Sequence, residues 1–182
     1  MKQRILAVSH CLLNRAAKVR RFDEAESRAE ERLRLKTVRL ALRRGVQLLQ
    51  LPCPEFLMYG SLRWGHVYEQ FDNPFFRARC REMLEPVCDQ LWCYASDPEV
   101  RLLGVLGVDG SPSCGVKYTC RGAWGGELCG RDLAPALSSV RLAAGRGVFM
   151  EEFCNLLDRR GLTLPFEGLF APEPERALSM ME

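Results

Sequence analysis

The 182-residue chain lacks the paired-cysteine motifs by which small cysteine-rich proteins are usually recognised. Its nine cysteines stand at positions 11, 53, 80, 88, 93, 114, 120, 129 and 154, and no two of them form a C-x-x-C pair. Because zinc ribbons, thioredoxin-type dithiols and ferredoxin-type cluster proteins depend on such pairs, the sequence argues against all three classes. The odd count also argues against a disulfide framework in a reducing compartment. A joint role of the cysteines therefore requires the fold to bring them together.

The sequence also has no strong excess of charge and no long apolar run. Its net charge is +3, and basic residues alternate with acids, as in the segment 28–34. That pattern is more typical of a solvated helix face than of a nucleic-acid surface. No apolar run approaches the roughly 20 residues that span a bilayer, and the first residues lack a signal-peptide cleavage site. We therefore expect a cytoplasmic protein that binds neither nucleic acids nor membranes.

Three short apolar runs predict buried parallel strands, and a cysteine follows closely after each. The runs cover residues 4–10, 46–51 and 102–108, and they lead into Cys11, Cys53 and Cys114. Apolar runs bounded by turn residues are typical of strands buried on both faces. Open parallel sheets bind ligands at the carboxyl ends of their strands. The chain is long enough for one domain, so we predict a single α/β domain over residues 1–170. Its Rossmann-like, mostly parallel sheet is flanked by helices and carries the site at its carboxyl edge.

The remaining segments predict helices around this sheet. An amphipathic stretch runs from Asp23 or Glu24 to Arg44, with glycine after it, which is a typical helix end. A second helix begins at Pro74 and is expected to kink or divide at Pro86. The other predictions are a long functional loop at 53–72, a hairpin or lid at 116–128, a helix at 133–144, a short strand at 148–150, a helix at 151–160, an edge strand within 162–170 and a flexible tail at 171–182.

The three strand-end cysteines are the candidates for chemistry. If their strands are neighbours, about 4.8 Å apart, the three thiols come within reach of one metal centre. A zinc ion would take a further ligand, for which His10 or His66 is available, whereas an iron–sulfur cluster held by three thiolates would leave one iron open. Spacing alone does not choose between these metals. Cys80 and Cys88 lie on the apolar face of a predicted helix and are expected to be core residues.

Polar residues near these cysteines indicate how such a site would act. A partly buried Glu55 could serve as a general acid or base, and Ser111 could donate a hydrogen bond to a ligand. In the alternative reading, Glu55 is a surface carboxylate and Ser111 shapes the turn in which it lies. Arg63 and Trp64 offer a bidentate donor and a stacking face for a planar heterocycle. In the alternative reading, Trp64 packs on the core and Arg63 faces water.

Three motifs together resemble those of the thiouracil desulfurase family. They are Ser9-His10-Cys11-Leu12-Leu13-Asn14, Leu51-Pro52-Cys53-Pro54-Glu55 and Gly110-Ser111-Pro112-Ser113-Cys114-Gly115. The family is typified by S-x-C-L-L-G, V-P-V-C-P-E and G/K-x-S-P-S-C-G, and the order and approximate spacing agree. Departures in two stretches indicate a divergent branch. The first motif has His10 before the cysteine and Asn14 in place of a glycine, and Arg63-Trp64-Gly65 stands where many members have a proline–arginine pair.

The resemblance implies a [4Fe-4S] cluster held by Cys11, Cys53 and Cys114, with Glu55 and Ser111 as the catalytic pair. The implied reaction converts the C=S group of a small, thiouracil-like compound to C=O. In that reaction iron captures the sulfur and water supplies the oxygen. The further candidates for substrate binding are Asn14, Arg63 and Trp64.

Two other functions stay open on the sequence. The first is a cysteine-nucleophile hydrolase in which His10 or His66 activates Cys114. The second is a non-catalytic protein that stores or senses a metal through the same three cysteines.

Overall fold

A computed structural model describes residues 2–182 and contains a four-stranded, fully parallel sheet. The strands of the protein are β1 (Gln3–Val8), β2 (Val46–Gln50), β3 (Val100–Val108), β4 (Tyr118–Arg121), β5 (Arg141–Ala144) and β6 (Phe166–Leu169). The main sheet has the order β2-β1-β3-β6, whereas β4 and β5 form a separate antiparallel pair. The three strands predicted to precede the cysteines are therefore adjacent. This confirms the predicted α/β class and its parallel sheet.

Helices cover both faces of the sheet. Within residues 2–182 they are α1 (His10–Leu13), α2 (Glu24–Arg43), α3 (Pro54–Tyr59), α4 (Tyr68–Phe71), α5 (Pro74–Ser96), α6 (Ala134–Ser139), α7 (Val148–Arg159) and α8 (Pro174–Ser179). The two long helices begin where side chains satisfy free backbone N–H groups. Asp23 accepts a hydrogen bond from the Glu26 amide, and Asn73 accepts from the amides of Phe75 and Phe76.

The core consists of two apolar layers, one on each face of the sheet. Successive residues of a strand point to opposite faces, so Ala7 contributes to one layer while Leu6 and Val8 contribute to the other. Helices α5 and α7 cover the first layer, and α2 and α8 cover the second. Phe153, on α7, is fully buried. Replacing such a phenylalanine with alanine typically lowers the free energy of unfolding by about 3–5 kcal/mol.

Helix α5 continues through Pro86, where the sequence predicted a kink or a division. Pro86 lies on the exposed side of the helix, and its ring removes one backbone hydrogen bond. Leu84 and Cys88, on either side of it, are completely buried in the core. Packing of both halves against the same layer therefore keeps the helix in one piece.

Three other segments differ from their predicted secondary structure. The predicted loop 53–72 contains the short helices α3 and α4, and the predicted helix 133–144 divides into α6 and β5. Residues 148–150, predicted as a strand, form the first turn of α7. Short apolar runs do not distinguish a buried strand from a buried helix. Here the sequence Val148-Phe149-Met150 continues the apolar face of the helix that follows.

The segment after residue 170 also differs from the expected flexible tail, because it contains helix α8. Ala177 and Met181 are completely buried against the second apolar layer. Burial of these side chains attaches the segment to the sheet. As for membranes, the described helices include none that combines the length and the apolarity needed to cross one.

Candidate functional site

A cavity of about 450 Å³ opens at the carboxyl edge of the parallel sheet. Its walls include all three strand-end cysteines, Cys11, Cys53 and Cys114, together with Glu55 and Ser111. The three cysteines thus reach the same edge of the sheet, since adjacent parallel strands direct their following loops to one edge. Cys53 and Cys114 are buried, while Cys11 is half-buried.

The first two cysteines are held by short helices that start directly at the sheet edge. The amide of Ser9 donates to the Leu106 carbonyl at 2.9 Å, which ties the start of α1 to β3. Cys53 occupies the position before the first turn of α3, and its Sγ accepts a hydrogen bond from the Phe56 amide at 3.4 Å. Proline at position 54 suits the first helical position because it has no N–H group to satisfy.

Cys114 lies in a loop that packs tightly against two glycines. A β-carbon at Gly107, on β3, would lie 2.4 Å from the Cys114 carbonyl oxygen. A β-carbon at Gly147 would lie 2.5 Å from the backbone of Ser113. Both separations are far below van der Waals contact, so side chains at these two positions would displace the loop. The glycines therefore permit the close approach that places Cys114 in the cavity.

The start of α7 supports the same loop through its backbone. The amides of Val148 and Met150 donate to the carbonyls of Pro112 and Ser113 at 3.0 and 3.2 Å. The first amides of a helix have no partner within the helix itself. In this protein the cysteine loop provides acceptors for them, so the loop and α7 stabilise each other.

The thiols of the cavity are held mainly in their neutral form. Burial raises the pKa of Cys11 to about 11, even though the positive charge of Lys18 opposes the shift. Burial likewise raises the pKa of Cys53 and raises that of Cys114 well above its usual range. Negative charge on one of these three thiols would further raise the pKa of its neighbours. A bound cation would reverse this effect, because metals bind the thiolate form.

Glu55 is a buried carboxylate at the centre of a hydrogen-bond network in the cavity. Its exposed fraction is 8 %. Ser113 Oγ and Ser111 Oγ both donate to Glu55 Oε1, at 2.5 and 3.3 Å, and Arg63 Nε lies 3.3 Å from Oε2. Ser111 Oγ also accepts the Cys114 amide at 3.0 Å. One network therefore joins the predicted catalytic pair to the third cysteine.

Ser113 is a site residue that the sequence analysis did not identify. It is completely buried, and its hydroxyl contacts both Glu55 and the sulfur of Cys114, the latter at 3.5 Å. Its position directly before Cys114 was the one sequence feature that pointed to a role in the site. Serine is common in turns, however, so this position alone does not indicate a functional residue.

The three predicted substrate-binding residues have different environments. Arg63 lines the cavity, but its guanidinium is already bound to Glu55 and to the carbonyls of Gly60 and Ala17, and its side chain is only 4 % exposed. Trp64 is 73 % exposed and lies outside the cavity lining. Asn14 is exposed and caps a 3-10 turn at Arg15–Ala17 by accepting the Ala16 amide. Of the three, the structure brings only Arg63 to the site.

The two histidines also differ in their relation to the cavity. His66 lines it and packs between Tyr59 and Phe71, with both ring centroids 4.8 Å away. Burial lowers the pKa of His66, so its imidazole is mostly neutral at pH 7. His10 is not part of the lining. A further thiol, that of Cys120 on β4, lines the cavity as well.

The chain is 32% identical over 114 residues to a protein of Methanocaldococcus jannaschii described as "Uncharacterized protein MJ0003". The matched region covers 63% of this chain and 69% of that protein. The chain belongs to the MJ0003 family. No protein-family model matches the chain, and no solved structure matches it. Because MJ0003 is described as uncharacterized, membership of its family assigns no activity, and the site must be interpreted from its own chemistry.

In this member of the MJ0003 family the cavity offers the thiols of Cys11, Cys53 and Cys114 as donors for a metal group. Within the described residues, no three His, Cys, Asp or Glu side chains are close enough to hold a single metal ion. An iron–sulfur cluster requires a wider spacing of its ligands. Each cysteine thiolate binds a separate iron, so the cysteine sulfur atoms lie further apart than they do around a single ion. Cys11, Cys53 and Cys114 offer thiolates, the ligand type that such clusters take, from three separate loops, and Cys120 adds a fourth thiol to the cavity lining.

Proposed function

We propose that this protein is a desulfidase that converts the C=S group of a small thiolated compound to C=O. Cys11, Cys53 and Cys114 would hold a [4Fe-4S] cluster. The observation that carries the proposal is one cavity lined by three thiols, each following a neighbouring parallel strand, together with a buried carboxylate. The resemblance of the three cysteine motifs to those of thiouracil desulfurases supports the same reaction.

A bound cluster with one iron free of protein ligands supplies a soft Lewis acid suited to the sulfur of a thiocarbonyl group. The overall reaction takes up one water and releases one hydrogen sulfide as C=S becomes C=O, so it needs no electron donor or acceptor. The protein must therefore orient the substrate, admit one water and move protons. These tasks fall to the polar residues that line the cavity.

Glu55 is placed to move the proton. Ser111 and Ser113 donate to its Oε1 and Arg63 faces its Oε2, so the carboxylate is oriented on both sides. As a general base, it would take a proton from water as the oxygen adds to the thiocarbonyl carbon, and it would then return a proton to the departing sulfur. Ser111, which is half-buried at the cavity wall, would orient the substrate ring through its hydroxyl.

Anaerobic purification and cluster reconstitution test this function directly. We expect a brown protein that contains iron and sulfide and that releases sulfide from 2-thiouracil or 4-thiouracil. A colourless, iron-free protein after anaerobic reconstitution would show that the assignment is wrong. Zinc binding in place of iron would have the same meaning.

The two rival functions make different predictions. A hydrolase that uses Cys114 needs an activated thiolate, but burial raises the pKa of this thiol. Of its two candidate bases, His10 lies outside the cavity lining and His66 lies within it. A protein that merely stores or senses a metal would bind the cluster and release no sulfide. In such a protein, replacing Glu55 with glutamine would leave metal binding unchanged.

A further inference from the structure

Asp109, the first residue after β3, closes the loop that carries Cys114. Its Oδ1 accepts hydrogen bonds from the amides of Val116, Lys117 and Tyr118 at 2.8, 3.0 and 3.3 Å. These three amides lie just beyond Cys114 in the chain, so one carboxylate oxygen fixes both ends of the loop relative to each other. Charge-assisted hydrogen bonds of this kind are stronger than bonds between neutral groups.

The second oxygen of Asp109 faces an arginine of the C-terminal helix. Arg176 Nη2 lies 3.0 Å from Asp109 Oδ2; the Asp109 side chain is fully buried, and that of Arg176 is 9 % exposed. Arg176 is itself oriented by Glu167 on β6 and Glu173 before α8, each at 3.0 Å. A buried carboxylate requires a counter-charge, and here it comes from a distant part of the chain.

Other contacts join the same two regions. The Asp109 amide donates to the Leu169 carbonyl at 3.1 Å, and the Tyr118 hydroxyl donates to Glu173 at 3.2 Å. The ring of Tyr118 also packs against Phe170 at a centroid distance of 5.2 Å. Residues 169–172 form part of the cavity wall. The C-terminal segment therefore contacts the Cys114 loop through charge, backbone and apolar surface.

We propose that Arg176 is a positioning residue, which holds the Cys114 loop in its metal-binding shape through Asp109. This inference rests on the proposed function only for the identity of the bound group. Groups that orient the ligands of a metal affect its affinity even though they do not touch it, typically by about 10-fold to 100-fold. Loss of the Arg176 charge leaves the Asp109 carboxylate buried without its partner. Rearrangement of Asp109 would release the three amides that it holds.

The first test measures release of iron from reconstituted protein to a chelator. We expect Arg176→Ala to release iron about 10-fold to 100-fold faster than the wild type, with Arg176→Lys in between, because lysine keeps the charge without the fork geometry. The matched control is Arg160→Met, which removes an arginine that bridges Glu85 and Asp89 on α5. Equal release from the Arg176 variants and the wild type would overturn the inference.

A second test uses the metal-free protein, so it does not depend on the proposed function. Amide hydrogen exchange of residues 116–118 should become about 10-fold faster or more in Arg176→Ala and stay unchanged in Arg160→Met, while exchange in β1 stays slow in both. The double variant Asp109→Asn/Arg176→Met leaves no unpaired buried charge and should show the same local acceleration if the single variant does not fold. Unchanged exchange at 116–118, or acceleration spread equally over β1, would show that Arg176 has a general structural role only.

Discussion

The protein contains two groups of buried or half-buried cysteines whose surroundings differ. Cys80 and Cys88, on α5, are completely buried among apolar side chains of the first core layer. Cys11, Cys53 and Cys114 border a cavity with a carboxylate, hydroxyls and backbone amides beside them. Burial raises the thiol pKa in both groups. A raised pKa therefore does not distinguish the proposed ligands from core cysteines; what distinguishes them is their position on a cavity with polar neighbours.

The largest predicted difference between the groups concerns cluster binding. Replacing Cys11, Cys53 or Cys114 with alanine should abolish iron binding, because each substitution leaves the proposed cluster with only two of its three protein ligands. Cys80→Ala and Cys88→Ala should keep the full iron content. Iron and sulfide analysis after anaerobic reconstitution decides the point. Full iron in any one of the first three variants would show that the ligand set is wrong.

The second prediction separates chemistry from cluster binding within the cavity. Glu55→Gln should keep the iron content and the visible spectrum but lower the rate of sulfide release by about 10²-fold to 10⁴-fold, the usual contribution of a general acid or base. Glu24→Gln is the control, since Glu24 is exposed and forms a surface ion pair with Arg28. An unchanged rate in Glu55→Gln would remove this residue from the mechanism.

The third prediction concerns reactivity towards iodoacetamide. Burial raises the pKa of Cys80 and Cys88 to about 12, so at pH 8 about one thiol in 10⁴ is ionised and able to react. Their alkylation should be about 100-fold slower or more than that of exposed Cys93 and should accelerate about tenfold per pH unit. Peptide mass spectrometry after timed quenching measures each site. Rapid labelling of Cys80 at pH 8 would mean that the α5–α7 interface opens readily.

The smallest predicted effect concerns stability. Cys80→Ser places a hydroxyl among apolar side chains and should lower the free energy of unfolding by about 1–3 kcal/mol. Cys93→Ser, at an exposed position on the same helix, should change it by less than about 0.5 kcal/mol. Urea unfolding of the metal-free protein gives both values. Equal values would contradict the assignment of Cys80 to the core.

The convergence of the three cysteines was predictable because it follows from backbone geometry alone. Runs such as Leu102–Val108 identify buried strands, and parallel strands necessarily end at one edge of their sheet. The β-α-β connection around α2 implied parallel pairing of β1 and β2, which the register of Leu6 with Leu48 confirms. These steps require no knowledge of side-chain contacts.

The polar connections of the site were not predictable because they join residues far apart in the chain. Nothing local indicates that Ser113 contacts Glu55 or that Arg176 neutralises Asp109. Trp64 was expected to stack on a ligand or pack on the core; its side chain is 73 % exposed and lies outside the cavity lining, whereas that of the neighbouring Arg63 is buried beside Glu55. Contacts of this kind depend on the finished packing rather than on local sequence.

The distant origin of the Arg176–Asp109 contact has a consequence for folding on the ribosome. During synthesis Cys11, Cys53 and Cys114 emerge in that order, and the strands that carry them can pair before α8 exists. Synthesis adds about 5–20 residues per second, so Arg176 is made some seconds after Cys114. The three cysteines can therefore come together before Arg176 has been synthesised. During that interval Asp109, which holds the Cys114 loop, does not yet have its arginine partner. A group that bound the three thiols during that interval would meet the Cys114 loop before Arg176 contacts Asp109.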